Sequence, residues 1–186
     1  MIRRLTLVAM TTALLAMTGG TASATHYDHL LAPSTACANQ TNLSLSTTDQ
    51  ENVMRCLHNY ARSKVGRAAL RSNSLLTSSS DAKSYDILRC QQFSHTACGR
   101  SMLYHFQRVG YTACSTWGAA ENISWATGSY ATVARRMSGW LHSDGHRNKI
   151  LSSKYRDLGL GLRIGALNGY SGAHVWTAHF GYRSGC

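Results

Sequence analysis

Six cysteines, Cys37, Cys56, Cys90, Cys98, Cys114 and Cys186, all fall after an N-terminal stretch with the three parts of an export signal. Arg3 and Arg4 are basic, Leu5 to Met17 is apolar, and Ala22-Ser23-Ala24 is a small-residue exit. The apolar run is too short to span a bilayer, which takes roughly 20 residues. Residues 1–24 are therefore expected to be removed as a signal peptide, leaving a soluble protein secreted to the extracellular side. An even cysteine count in an exported chain predicts three disulfides. No Cys-x-x-Cys occurs, so a zinc knuckle or a thioredoxin-like redox motif has no basis. Of the fifteen possible pairings, the local Cys90–Cys98 is the one expected, because it would clip a short loop around His95.

Cleavage after Ala24 leaves 162 of the 186 residues, enough for one well-buried core and too few for two ordinary domains. The chain carries 19 Lys and Arg against 8 Asp and Glu, and loss of Arg3 and Arg4 takes its formal charge from +11 to +9. This balance favours an anionic cell wall or membrane surface as partner. The basic residues stand singly or in pairs, which predicts non-specific surface attraction. Neither a basic face with stacking aromatics nor a recognition helix is present, so no specific nucleic acid partner is expected.

Residues 25–47, rich in Thr, Ser, Asn and Ala around the single proline Pro33, show no hydrophobic period and read as a surface leader tied down by Cys37. A helix is predicted from Thr48-Asp49 to Gly66, with Val53, Leu57, Tyr60, Ala61 and Val65 on one face. A second, with a less regular stripe, spans about Leu75 to Arg89 after the cap candidates Ser72-Asn73-Ser74. A third covers Ser101 to Val109. The fourth runs from Tyr130 to His142, with Val133, Met137, Trp140 and Leu141 on one side. The period then changes: Leu158, Leu160, Leu162 and Ile164 alternate with small or polar residues, Asn168-Gly169 is a hairpin turn, and Trp176, Ala178 and Phe180 alternate on the return. Asn122 to Ala126 is a third strand candidate. Helices followed by a hairpin imply an α+β domain over residues 48–186.

His95 in Phe93-Ser94-His95, Glu121 in Ala120-Glu121-Asn122-Ile123 and His146 in Ser143-Asp144-Gly145-His146 fall at element ends, where binding groups collect. They come in order with Leu57-His58-Asn59-Tyr60-Ala61-Arg62 and Gly66, with Trp140, Arg147 and Ile150-Leu151, and with the Gly159-x-Gly161 and Trp176 to Gly181 strands. As a set, over roughly residues 50–182, these motifs resemble bacterial members of the CAP superfamily, the cysteine-rich secretory, antigen 5 and pathogenesis-related 1 proteins.

The resemblance implies a three-layer α-β-α sandwich, its central antiparallel sheet covered by helices, with a cleft holding two histidines and two acidic residues. His95, Glu121 and His146 occupy three of those positions. The second acidic residue falls on Ser143, with Asp144 next door as a substitute. Lys149 stands where bacterial relatives carry asparagine, and Asn148 comes one place early. Some relatives also bind a sterol or fatty acyl lipid in an apolar groove.

Two neutral imidazoles can hold a divalent metal such as zinc, with Glu121 as third ligand or as acceptor for a ring N–H. Alternatively the three residues hydrogen-bond one another and hold no ligand. His142 and His146 have a helical metal spacing, but Gly145 is expected to end the helix between them. No nucleophile elbow, His-Glu-x-x-His helix or phosphate loop is present. Ser94 beside His95 is a poor nucleophile pair, and Ser143 reaches His146 only if the turn permits. The expectation is a monomeric ligand- or surface-binding module. The alternative is a metal-assisted, protease-like hydrolase with Glu121 polarising a water.

Overall fold

A computed structural model describes residues 27–186; the signal segment and its cleavage site lie outside the described residues. The elements are α1 (Thr47–Ser63), β1 (Arg71–Ser72), α2 (Ser74–Cys90), α3 (Leu103–Arg108), β2 (Thr116–Ala126), α4 (Val133–Leu141), α5 (Asp144–Leu151), β3 (Asp157–Leu167) and β4 (Tyr170–Ser184). Among the described residues, short 3-10 turns lie before α1 at Asp28–Leu30 and between later elements at Ala97–Gly99 and Gly128–Ala131. The strands form one sheet in the order β1-β3-β4-β2. β2, β3 and β4 are antiparallel, but the two-residue β1 joins β3 in parallel, so the sheet is mixed and not purely antiparallel as expected.

Alternation along the strands splits the core between two faces. Leu158, Leu160, Leu162, Trp176, Ala178 and Phe180 meet α1, α4 and α5 on one side. Ile123, Ala173 and Val175 meet Ile87 of α2 on the other, and there Leu76 also packs with Phe106 and Tyr111. This is the helix-sheet-helix layering expected.

Helix α2 lies directly on β3 because β3 has glycine where the helix crosses. A Cβ on Gly159 would come 2.0 Å from the Leu76 carbonyl carbon, and one on Gly161 2.3 Å from the Asp81 nitrogen. The helix turns small polar residues to that contact: Ser80 and Ser84 donate to the Gly159 and Gly161 carbonyls at 3.0 and 2.9 Å. The irregular apolar stripe of α2 follows from this, since its buried face is hydroxyl-rich. Asn73 caps the helix by accepting from the Leu76 N–H at 3.2 Å.

Several local expectations change in the fold. The buried face of α1 is Gln50, Met54, Leu57, His58, Ala61 and Arg62, whereas Val65 is exposed. The packed stripe includes polar residues because Arg62 donates to the Ile150 and Ser152 carbonyls at 2.7 and 2.8 Å, linking α1 to the end of α5. Residues 25–47, read as a surface leader, send Leu30, Ala32 and Cys37 into the main core from residue 27 onward. Isolated apolar residues in a polar tract have no period to reveal that burial. β2 begins at Thr116, six residues before the predicted start; Gly118, Ala119 and Ala120 lack strand-favouring side chains, so the sequence does not mark this part, and pairing with β4 holds it in the sheet. The predicted helix Tyr130–His142 is shorter, broken from its 3-10 entry at Thr132. Gly145 does not end a helix; it lies in the first turn of α5, where backbone N–H groups need no intrahelical acceptor.

The hairpin forms as read, with positive φ at both Asn168 and Gly169. Cys37–Cys56, Cys90–Cys98 and Cys114–Cys186 are bonded, so the expected local pair is present. Among the described residues no helix is long and apolar enough to cross a membrane.

Candidate functional site

The site straddles β2, whose outer edge meets loops from both helical layers. The β2–β4 register places Glu121 directly opposite His179, and both are buried. Glu121 Oε2 accepts from His179 Nε2 at 2.8 Å, and its Oε1 accepts from His95 Nδ1 at 2.6 Å. His179 Nδ1 lies 2.6 Å from Ser79 Oγ, and Phe106 stacks on the ring at 4.1 Å between centroids. Buried Lys83 donates to the His95 carbonyl at 2.8 Å, and the Cys90–Cys98 bond closes the loop around it. His95 is thereby fixed at both backbone and ring while half of its side chain stays exposed.

Burial alone would raise the Glu121 pKa, but the bonds from His179 and His95 outweigh it and hold the carboxyl at about 2. An ionised carboxylate only accepts, so His95 donates to it from Nδ1. Burial lowers the pKa of His179 against the opposing pull of Glu121. The neutral ring donates from Nε2 and accepts from Ser79 at Nδ1.

His146 reaches the same edge from α5. Asn122 donates to its carbonyl at 3.1 Å, tying α5 to β2, and Ser143 Oγ lies 2.8 Å from His146 Nδ1. Burial, then Lys149, then His95 lower the His146 pKa, so this imidazole is neutral as well. Beside it a groove of about 300 Å³ is lined by Phe93, Ile123, Trp125, Trp140, Arg136, Ser143 and His146, among others. Trp140 is set by donating from Nε1 to the Ile123 carbonyl at 3.1 Å. Arg136 donates to the Tyr130 and Trp125 carbonyls at 2.8 and 3.1 Å, and among the described residues no carboxylate pairs with it.

The fold thus joins His95 to Glu121 and Ser143 to His146. Asp144 does not stand in for the second acidic residue: its side chain is 83% exposed and pairs with Arg147. His142 donates to the Ser138 carbonyl at 2.8 Å at the end of α4, on a different helix from His146. Ser94 bonds Thr96, not His95. His179, Ser79 and Lys83 escaped the sequence reading. The available signal was His179 itself, a histidine alternating with Ala178 and Phe180 and therefore on the opposite, α2-facing side of a buried strand.

Among the described residues no three His, Cys, Asp or Glu side chains form a group able to hold a metal ion. Glu121 takes the role of acceptor for ring N–H groups, with both oxygens engaged.

The family model of the cysteine-rich secretory proteins, CAP, matches residues 56–180, more than half of the chain. This chain belongs to that family. It is also similar to the uncharacterized membrane protein YlbC of Bacillus subtilis, at 29% identity over 118 residues. That match takes in 63% of this chain and 32% of YlbC, so the CAP chain spans about a third of that relative's length. Among solved structures, an outer surface protein from Borrelia burgdorferi superposes with a TM-score of 0.62 at 13% identity, covering 75% of this chain and 97% of that one. An extracellular protein containing a SCP domain from Bacillus anthracis gives 0.56 at 23%, covering 75% and 44%. A cysteine-rich secretory protein from Staphylococcus aureus gives 0.55 at 20%, covering 74% and 39%. These likenesses establish a shared CAP fold.

Proposed function

We propose that this CAP protein is an extracellular binding module whose groove takes a slim acyl chain with an anionic head. Arg136 carries the reading: it is a half-buried guanidinium with no counter-ion among the described residues, in a groove whose apolar walls are Phe93, Ile123, Trp125 and Trp140. A carboxylate end would supply the missing charge, and an alkyl chain would cover the aromatic walls. A groove of about 300 Å³ stands at the small end of ligand sites, which favours an acyl chain over the bulkier rings of a sterol. The net charge, +11 for the whole chain and +9 without Arg3 and Arg4, supports a second, weaker association with anionic wall or membrane surfaces.

Titration with cis-parinaric acid, a fluorescent fatty acid, tests the groove. Saturable binding is expected, weakened by Trp125→Ala and by Arg136→Gln under conditions where circular dichroism shows each variant folded. A fatty alcohol should lose little in Arg136→Gln. Absence of saturable binding in the unaltered protein overturns the reading.

A further inference from the structure

Ser143 is the N-cap of α5, a position where serine ordinarily accepts from the next turn's N–H, but it makes no such bond. Its hydroxyl lies 2.8 Å from His146 Nδ1, the separation of a nucleophile from its base. Both residues line the groove that holds the unpaired Arg136 guanidinium. Over Gly145 there is open space, since a Cβ added there meets nothing within 4 Å. Ser143 itself is part-exposed in the groove lining, where a substrate carbonyl can approach it. With the ring proton on Nε2, Nδ1 presents its lone pair to the Ser143 hydroxyl.

We propose that the groove hydrolyses acyl esters, with Ser143 as nucleophile, His146 as its base and Arg136 as the cation that stabilises the oxyanion. The substrate class rests on the acyl-chain reading above; the hydrolytic activity goes beyond it. Ser143 Oγ bonds to the ester carbonyl carbon while its proton passes to His146 Nδ1, and the carbonyl oxygen takes up negative charge near Arg136. Collapse breaks the bond to the alkoxy oxygen, which leaves as the alcohol with the proton from His146. Water then adds to the acyl carbon and gives His146 a proton. Cleavage of the carbon–Oγ bond returns that proton to Ser143 and releases the fatty acid, whose carboxylate is the head group Arg136 would hold.

The test compares turnover of p-nitrophenyl octanoate by the oxidised protein with that by Ser143→Ala and His146→Ala, beside cis-parinaric acid binding by each. A fluorophosphonate label located by peptide mass spectrometry gives a readout independent of the variants. The expected result is slow turnover, reduced about 10²-fold or more in either variant with acyl binding retained, and the label on Ser143. Turnover unchanged in Ser143→Ala, or a label elsewhere, overturns the assignment. Acyl binding with no turnover and no label overturns the hydrolase and leaves the binding module standing, whereas loss of both overturns the two together.

Discussion

Glu121 and His179 are cross-strand partners in the β2–β4 ladder, and their side chains meet at 2.8 Å with neither accessible to solvent. Because the other Glu121 oxygen holds His95, a buried pair within the sheet sets the orientation of a half-exposed ring at the surface. Glu121→Ala leaves the neutral His179 buried and without its main partner, and should cost about 1–3 kcal/mol in urea unfolding. His179→Ala should also free His95, seen as loss of its restrained imidazole shifts by NMR even under conditions where the fold persists.

His58 predicts an acid sensitivity with a defined sign. It is fully buried, donates from Nδ1 to the Met54 carbonyl at 2.8 Å and leaves Nε2 unpartnered against Trp140 and Phe180. Burial brings its pKa down to about 4. A folded pKa below the unfolded value means the unfolded chain binds the extra proton, so stability falls as pH drops from the ordinary histidine range toward about 4. The loss should approach about 3 kcal/mol. Glu121, held at about 2, adds a further loss as pH falls from the ordinary carboxylate range through that value. His58→Phe should flatten the upper part of this profile in thermal melts taken across the acid range.

Glu51 behaves in the opposite sense. It accepts the Leu162 N–H at 2.8 Å from α1, and burial pushes its pKa up to about 7 against that bond. Its folded form favours the proton, so its presence erodes stability as pH rises through about 7. Glu51→Gln keeps an acceptor for Leu162 and removes the charge. It should stabilise the protein above neutrality by about 1 kcal/mol after solvent screening, with little effect under acid conditions.

The disulfides should differ in what they protect. Cys114–Cys186 closes a separation of 72 residues and joins the start of β2 to the C-terminus, so replacing both cysteines with serine should cost about 4 kcal/mol. Cys90–Cys98 spans only 8 residues and should cost about 2–3 kcal/mol. Its removal should loosen the His95 loop first, detectable as faster amide hydrogen exchange across residues 94–97 before any global change.

Residue types and their spacing were enough to determine the strand alternation on either side of the C-terminal hairpin, the Asn168-Gly169 turn and the local disulfide. Each depends on local periodicity, turn chemistry or a motif, and those physical signals lie within a few residues of one another. Tertiary structure alone decided the rest. It placed His179 opposite Glu121 through strand register, which links residues 58 positions apart. It made the hydroxyl face of α2 the buried one, because Gly159 and Gly161 removed the side chains that would hold the helix away. It turned Asp144 to solvent and Ser143 toward His146, because α5 begins between them and a one-residue step at a helix start sends adjacent side chains in different directions.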